Sequence, residues 1–278
     1  FTGLVGSETL GQTVGSTFDN KNVGTGKTVT VNSITLADGT NGGLAANYSI
    51  SAGQTTTANI TAKSLTVSNV SASNKTYDGT TTASMDGTSA VYRGLVDGDT
   101  FDGTYTGVFS DKNVGTGKTV NITSSYSGAD VSNYSVTDQS TTTANITAKS
   151  LTVSGITASD KIYDGSTSAT LTGTAVYSGL VSGDTFNGTY TGVFSNANVD
   201  TGKTVTITSS YTGADVNNYS VTDQSSTTAD ISAKALTATA SASNKTYDGG
   251  TTASTTLTFT GLVGSETLGQ TVGSTFDN

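Results

Sequence analysis

The sequence repeats itself about every 86 residues, and this repetition restricts the possible folds more than any other feature. One landmark, with offsets of 86 and 84 residues, is Tyr77-Asp78-Gly79, Tyr163-Asp164-Gly165 and Tyr247-Asp248-Gly249. A second, with offsets of 86 and 85, is Asn47-Tyr48-Ser49, Asn133-Tyr134-Ser135 and Asn218-Tyr219-Ser220. Landmarks that share one spacing indicate tandem copies of a single structural unit.

Lys63 is taken as the first residue of a copy, and this choice divides the chain into four parts. Residues 1–62 are then the C-terminal part of a repeat, 63–148 and 149–233 are complete repeats, and 234–278 are the N-terminal part of another. Residues 1–20 are identical to 259–278, an offset of 258 residues or three repeats. We therefore expect a parent array built in blocks of three.

Two interpretations of the incomplete repeats remain open. The chain is either a window on a longer array or a subunit whose split end repeats are completed by neighbouring copies, as in strand donation. The duplicated 20 residues would be redundant in a complementing subunit, which favours the window.

The composition predicts an all-β fold. Glu occurs only at Glu8 and Glu266, Pro is absent, and Thr, Ser, Gly and Val are abundant, so strand and turn formers outnumber helix formers. Only 33% of the residues are hydrophobic, which suits several small cores better than one large core. We expect no helix longer than a turn or two.

Apolar residues alternate with polar ones along the repeat 149–233, as in half-buried strands. The alternating pairs are Leu151/Val153, Ala169/Leu171, Tyr190/Val193, Val205/Ile207, Tyr219/Val221 and Ala229/Ile231. Turns are predicted between them at Asp164-Gly165, Ser182-Gly183-Asp184, Asn187-Gly188, Thr201-Gly202-Lys203 and Gly213-Ala214-Asp215. Six or seven short strands in a repeat predict tandem immunoglobulin-like β-sandwiches of about 86 residues. The junction Ala144–Val153 has no Gly-Ser tract, so we expect an extended array that gains roughly 35–45 Å per repeat.

Several motifs in fixed order resemble the YDG-type repeat of filamentous-haemagglutinin-like bacterial adhesins and other large surface proteins. They include Asn74-Lys75-Thr76-Tyr77-Asp78-Gly79, Asn-Val-Gly-Thr-Gly-Lys and Asn-Tyr-Ser, and they extend over essentially the whole chain. The resemblance implies secretion to the bacterial cell surface, tandem β-sandwiches and a spacer or adhesive role. Related repeats often carry Pro at the repeat junction, where this chain has Ala62, Ala148 and Ala233.

Few residues are suited to chemistry, so we expect no catalytic residue and no cofactor. The chain has no His, which most often transfers protons near neutral pH, and no Cys for disulfides or thiolate metal sites. Gly24–Thr28 resembles the end of a phosphate-binding loop, but Lys21 stands where that motif needs Gly. Asp97, Asp99 and Asp102 are candidate Ca²⁺ ligands, although their counterparts in the next repeat are Ser182, Asp184 and Asn187.

The recurring Tyr-Asp-Gly triplets are interpreted as structural anchors. The tyrosine is expected to enter a core, while Asp-Gly supplies a turn with positive φ. Lys75, Lys161 and Lys245 precede these tyrosines by two residues, and an isopeptide crosslink to Asn133 or Asn218 is an alternative to ordinary surface ion pairs. The dense Ser and Thr side chains are expected to coat the strands or to carry glycans.

Two functions follow, in this order of preference. The first is a structural stalk or filament segment of a cell-surface adhesin, whose partners are neighbouring repeats and other copies in a fibre. The second is a repeated module that binds carbohydrate or another surface ligand. The net charge of −9 argues against nucleic acid as a partner. The sequence contains no run of 18 apolar residues, so we expect no insertion of this segment into a membrane.

Overall fold

A computed structural model describes residues 1–275, and it consists almost entirely of β-strands, which confirms the all-β class. Helix in these residues is limited to three short 3-10 turns, at Ala45–Asn47, Val131–Asn133 and Val216–Asn218. Within the same residues, no helix has the length and apolar character needed to cross a membrane. The chain forms two compact units. Unit 1 contains Phe1–Lys75, Thr81–Asp111 and Gly115–Asn145, and unit 2 contains Thr76–Thr80, Lys112–Val114 and Ile146–Asn278.

The N-terminal part of unit 1 is a three-stranded antiparallel sheet. Its strands are β1 (Leu10–Phe18), β2 (Gly24–Asp38) and β3 (Thr55–Ile60), in that spatial order. The strands of the repeat 63–148 are β4 (Lys63–Ser68), β5 (Ser71–Ala72), β6 (Lys75–Thr76), β7 (Thr82–Ala83), β8 (Met85–Asp86), β9 (Val91–Arg93), β10 (Asp102–Phe109), β11 (Gly115–Ser127), β12 (Tyr134–Thr137) and β13 (Thr141–Thr147).

The repeat 149–233 and the residues that follow it lie in unit 2. The strands of this repeat are β14 (Lys149–Ala158), β15 (Lys161–Ile162), β16 (Ser168–Ala169), β17 (Leu171–Ser178), β18 (Asn187–Phe194), β19 (Asp200–Thr212), β20 (Tyr219–Thr222) and β21 (Ser226–Ser232). They are followed by an antiparallel pair, β22 (Thr237–Ala242) and β23 (Thr255–Thr260).

The two complete repeats contain the same two sheets, which confirms the tandem repetition. A five-stranded sheet has the order β6-β13-β11-β10-β7 in one repeat and β15-β21-β19-β18-β16 in the other. A three-stranded sheet has the order β9-β4-β12 in the first repeat and β17-β14-β20 in the second. In both, the first strand pairs in parallel with the strand that starts at the Asn-Tyr-Ser tyrosine, so that Lys63 lies opposite Tyr134 and Lys149 opposite Tyr219.

A phenylalanine surrounded by three tyrosines lies in the core of each complete repeat. The ring of Phe101 is centred 5.0–5.9 Å from the rings of Tyr92, Tyr126 and Tyr134. The ring of Phe186 has the same arrangement, at 5.0–5.7 Å from those of Tyr177, Tyr211 and Tyr219. Edge-on and tilted ring pairs of this kind add stability beyond the buried area. Each complete repeat therefore has its own small core, and aromatic side chains form a large part of it.

Most of the predicted alternation in the repeat 149–233 is confirmed. Leu151 and Val153 are buried on β14, Val205 and Ile207 on β19, and Ala229 and Ile231 on β21. Pairing Tyr190 with Val193 was wrong, because residues three apart lie on opposite faces of a strand and Val193 is exposed.

Two of the predicted turns in this repeat are not turns. Asn187-Gly188 lies inside β18, where Gly188 is opposite Tyr211. Thr201-Gly202-Lys203 lies inside β19 as a β-bulge, where the register shifts and Gly202 has φ of +58°. A bulge of this kind places one glycine in the left-handed region without reversing the chain.

Candidate functional site

The Tyr-Asp-Gly triplets form three similar turns. Gly79, Gly165 and Gly249 have φ values of +79°, +76° and +76°, which a side chain would strain. In each turn the Asp side chain accepts a hydrogen bond from the N–H two residues later, at Thr80 (2.8 Å), Ser166 (2.8 Å) and Gly250 (3.0 Å). The glycine conformation and the Asp hydrogen bond therefore fix the backbone of each turn next to its tyrosine.

The three tyrosines differ in their exposure. Tyr77 is 1% exposed, Tyr163 is partly buried, and Tyr247 is 93% exposed. The local turn is the same in all three, so the residues around each tyrosine decide whether its ring is covered.

In unit 2, Tyr77 occupies a site that we call socket 2, formed by Lys112, Val181, Asp184, Asp215 and Tyr219. The Tyr77 ring packs edge-on against Tyr219 with centroids 5.6 Å apart, and its hydroxyl donates a 2.8 Å hydrogen bond to Asp184 Oδ2. The Lys112 ammonium lies 5.8 Å from the ring centroid of Tyr77. Tyr77 belongs to the repeat 63–148, whereas Asp184 and Tyr219 belong to the repeat 149–233.

Gly79 belongs to the same contact. A Cβ atom built on Gly79 would lie 2.9 Å from Val181 Cγ1, which is closer than real Cβ atoms approach. The glycine is therefore required both by its positive φ and by the proximity of socket 2.

Lys112 joins the two carboxylates of socket 2. Its Nζ lies 3.1 Å from Asp184 Oδ1 and 2.9 Å from Asp215 Oδ1. Asp184 Oδ2 also accepts a 2.6 Å hydrogen bond from the Tyr219 hydroxyl, and Asp215 Oδ2 accepts a 2.9 Å bond from the Thr185 N–H. The Asp184 side chain is only 3% exposed, so these hydrogen bonds replace the water that it loses on folding.

The hydrogen bonds set the protonation states in socket 2. Burial raises the pKa of Asp184, but hydrogen bonds from Tyr219, Tyr77 and Lys112 outweigh this effect and leave the pKa below its ordinary value. The pKa of Asp215 is lowered by the Thr185 N–H and then by Lys112. Burial, followed by the hydrogen bond to Asp184, raises the pKa of Tyr219 to about 12. Both carboxylates are therefore ionised and the tyrosines are neutral at pH 7.

In unit 1, socket 1 has the same groups at the equivalent positions: Lys21, Val96, Asp99, Asp130 and Tyr134. Lys21 Nζ lies 2.8 Å from Asp99 Oδ1 and 2.7 Å from Asp130 Oδ1. The Tyr134 hydroxyl donates a 2.6 Å hydrogen bond to Asp99 Oδ2. The hydrogen bond from Lys21 is the first cause of the lowered pKa of both Asp99 and Asp130.

An asparagine closes one side of both sockets. In socket 1, Asn133 Oδ1 accepts a 2.9 Å hydrogen bond from the Val23 N–H. In socket 2, Asn218 Oδ1 accepts a 2.9 Å bond from the Val114 N–H. These are the asparagines of the Asn-Tyr-Ser motif, and the residues they bind follow the socket lysine by two positions.

Socket 3 in unit 2 differs in composition, and we define it by Val199, Val263 and Glu266. Tyr163 and these residues line one cavity, and the Tyr163 hydroxyl donates a short hydrogen bond to Glu266 Oε1. A Cβ atom on Gly165 would lie 3.0 Å from Val263 Cγ1, which repeats the relation of Gly79 to Val181. Ala197 stands at the position of Lys112, and Glu266 stands at that of Asp184.

The candidate Ca²⁺ ligands do not converge. Asp99 binds the Lys21 ammonium in socket 1, whereas Asp97 and Asp102 are exposed. Across residues 1–275, no group of three or more His, Cys, Asp or Glu side chains is arranged to hold a metal ion.

The lysines and asparagines considered for isopeptide crosslinks have other contacts. Lys161 Nζ lies 2.7 Å from Asp164 Oδ1 in its own turn and 5.6 Å from the ring centroid of Phe194. Asn133 and Asn218 bond to Val23 and Val114, as described above.

The repeated triplets in the sequence point to the anchor tyrosines but not to the residues that they contact. The expectation that each tyrosine enters a core named no partner for it; Tyr77 is buried, and it packs against Tyr219 and binds Asp184 of the following repeat. No role in a socket was predicted for the lysines, Lys21 and Lys112, or for the second aspartates, Asp130 and Asp215. One pattern in the sequence points to them, because repeats that follow Lys21 or Lys112 carry an Asp pair, whereas the repeat that follows Ala197 carries Glu266.

Comparison with known proteins agrees with this repeated architecture. The family model described as the YDG domain matches residues 1–58, 61–144 and 147–229. No curated protein and no solved structure matches the chain significantly. Because the three matched stretches cover well over half of the 278 residues, the chain belongs to the YDG domain family.

Proposed function

We propose that this chain is a structural segment of the stalk or filament of a bacterial cell-surface adhesin. In this proposal the repeats are immunoglobulin-like sandwiches of about 86 residues, laid in an extended array outside the cell. One observation carries the proposal. Tyr77, which belongs to one repeat, is 1% exposed and is bonded to Asp184 of the next repeat.

A stalk holds its far end away from the cell surface only if successive repeats resist bending relative to each other. The short connection supports this role, because Ala148 alone separates β13 from β14. Socket 2 adds an aromatic contact, a hydrogen bond to a carboxylate and a lysine shared by two aspartates. Hydrogen bonds to charged groups are stronger than those between neutral groups, and they are directional.

A passive role also fits the residue types. Without His or Cys, the abundant Ser and Thr hydroxyls have none of the usual activating bases or thiolate partners. The net charge of −9 keeps repetitive chains soluble and disfavours binding to nucleic acid. The partners in this proposal are neighbouring repeats and other copies in a fibre, with no enzymatic activity and no cofactor.

Small-angle X-ray scattering of the 278-residue chain tests the extended array. A compact globule of this length has a radius of gyration of about 19 Å. A row of about three repeats at roughly 35–45 Å each should be some 110–140 Å long, and its radius of gyration should be nearly twice the globular value. A radius of gyration near the globular value would contradict the proposal.

Labelling of intact bacteria tests the location. Antibodies raised against the chain should bind whole cells, and external protease should remove the signal without lysis. A cytoplasmic protein labelled in parallel controls for lysis. Labelling that appears only after the cells are opened would rule out a surface stalk.

A groove in the repeat 149–233 favours the second candidate function, carbohydrate binding. The groove has a volume of about 670 Å³, and its lining includes Tyr177, Tyr190, Thr172 and Thr174. The hydroxyls of the two tyrosines are 3.0 Å apart. Aromatic rings with nearby hydroxyls suit sugar rings. A glycan array tests this candidate, with Tyr190→Ala as the variant that should lose binding.

A further inference from the structure

A pair of hydrogen-bonded tyrosines recurs in the two complete repeats. The hydroxyls of Tyr92 and Tyr105 are 3.1 Å apart in the first repeat, and those of Tyr177 and Tyr190 are 3.0 Å apart in the second. In both repeats a glycine precedes the later tyrosine by two residues, and a Cβ atom built on it would clash with both hydroxyls. The two pairs are therefore held in the same way, and they can be compared by what covers them.

In the first complete repeat, the backbone of the same repeat covers Tyr105. A Cβ atom built on Gly87 would lie 2.5 Å from Cδ2 and Cε2 of the Tyr105 ring, so the glycine backbone lies directly against that ring. Asp86 stabilises this arrangement, because its Oδ1 accepts a 2.8 Å hydrogen bond from the Thr88 N–H and so forms a turn around Gly87.

In the second complete repeat, the equivalent glycine lies against β14. Gly173 is opposite Ile156 in the pairing of β17 with β14, and the atoms nearest to a Cβ built on it belong to Gly155 and Thr157. Gly173 and Tyr190 both line the groove of about 670 Å³. The groove therefore takes the place beside Tyr190 that the glycine backbone takes beside the equivalent ring of the first repeat.

Two sequence differences account for the groove. The first repeat has one more residue, Ser89, in the segment before Val91, where the pairing with β4 resumes. The second difference is Gly155, whose counterpart in the first repeat is Asn69. A Cβ atom on Gly155 would lie 2.6 Å from the Thr174 carbonyl oxygen, so β17 approaches β14 this closely only because residue 155 is glycine.

The groove suits an uncharged ligand that carries hydroxyl groups. The residues that line it are all uncharged, and they include three threonines. Burial, followed by the hydrogen bond with Tyr177, raises the pKa of Tyr190 above its ordinary value, so the Tyr190 hydroxyl is neutral and can donate or accept. An acidic ligand would lose hydration there without a compensating cation, in a chain whose net charge is −9. A neutral sugar combines an apolar ring face with hydroxyls, which matches an aromatic ring beside threonines.

We propose that the second complete repeat binds an uncharged saccharide in this groove, and that Gly155 and the lack of a counterpart of Ser89 confine the site to repeats of this type. The sugar ring packs against Tyr190, as the Gly87 backbone packs against the equivalent ring, and its hydroxyls bond to Tyr177 and the threonines. This inference rests on the second candidate function, carbohydrate binding, and does not depend on the proposed stalk.

A glycan array that includes cellohexaose, maltohexaose and acidic hexagalacturonate tests the groove with the 278-residue chain. The wild type should bind neutral oligosaccharides, and isothermal titration calorimetry with the neutral probe that binds should give one site per chain. One site is expected because Val14 and Val272 stand at the Tyr190 position in the partial repeats.

Gly155→Asn should lower the affinity at least about tenfold, because a Cβ atom there forces β17 off β14 and towards Tyr190. Asn69→Gly is the matched control at the equivalent position of the first repeat, and it should bind like the wild type. Circular dichroism of each variant checks that the all-β fold is kept.

The reciprocal change in the first repeat gives the sharper result. Asn69→Gly combined with deletion of Ser89 should uncover Tyr105 and raise the stoichiometry from one site per chain to two, a gain that misfolding cannot produce. Three results would overturn this inference and leave carbohydrate binding itself in place: full affinity in Gly155→Asn, a single site in the reciprocal variant, or a preference for hexagalacturonate. A wild type that binds none of the probes would overturn both, without bearing on the stalk.

Discussion

Sockets 2 and 3 hold the same kind of tyrosine with different electrostatics. In socket 2, Tyr77 is almost fully buried and Lys112 joins Asp184 to Asp215. In socket 3, Tyr163 is only partly buried, the acid is Glu266, and Ala197 replaces the lysine. The hydrogen bond from tyrosine to acid is present in both. The tyrosine and the acid are therefore the constant part of the contact, and the lysine is the variable part.

Truncating the tyrosine should separate the two sockets most strongly. Replacing a buried aromatic residue by Ala costs about 3–5 kcal/mol, so Tyr77→Ala should lower the free energy of unfolding of unit 2 by that amount. Tyr163→Ala should cost less, because its ring is partly exposed. Urea unfolding followed by circular dichroism measures both. Tyr247→Ala is the control, because the Tyr247 side chain is 93% exposed, and it should leave the free energy of unfolding unchanged. Equal losses at all three tyrosines would contradict the comparison.

Removing only the hydroxyl isolates the hydrogen bond. Tyr77→Phe should cost about 1.5–3 kcal/mol, because Asp184 is largely buried and would lose one hydrogen-bond donor to its charge. Tyr163→Phe should cost less, since water can replace the phenol at the exposed bond to Glu266. The same urea titrations apply, and a larger loss at Tyr163 than at Tyr77 would show that burial does not set the strength.

Acid should weaken socket 2 through its carboxylates. The folded-state pKa values of Asp184 and Asp215 lie below the unfolded value of about 3.9. Their stabilisation is complete above that value and is lost as the pH falls through the lower folded-state values. The melting temperature should therefore hold between pH 7 and pH 5 and drop towards pH 3.

Other carboxylates also titrate in this range, so a variant must isolate the effect of the socket. The double variant Asp184→Asn/Asp215→Asn should show a smaller drop in melting temperature from pH 5 to pH 3 than the wild type. An identical drop would mean that these two carboxylates do not contribute.

Adding a lysine to socket 3 should change the stability least. Ala197→Lys places a cation at the position of Lys112, where Glu266 is the available acid. Exposed ion pairs contribute little, so the melting temperature should rise by no more than about 3 °C. The gain should vanish at 1 M NaCl because salt screens exposed pairs. A salt-independent gain would show that the lysine acts through packing.

Much of the fold could be predicted from local pattern. The repeat spacing, the all-β class and the buried faces of β14, β19 and β21 follow from periodicity, which a strand expresses directly. The sockets could not be predicted in this way. Lys112 lies 72 residues from Asp184 and 103 from Asp215 in the sequence, and only packing brings them within 3.1 Å.

Tyr77 and Tyr163 lie in the same kind of local turn but have different surroundings. Tyr77 is 1% exposed and packs against Tyr219, whereas Tyr163 is only partly buried and binds Glu266. The sequence by itself determined the repeat, the turns with their glycines, and the alternation that makes a segment able to form a strand. The tertiary structure decided how deeply each tyrosine became buried, because the residues that cover its ring lie far away in the chain, as Tyr219 does from Tyr77.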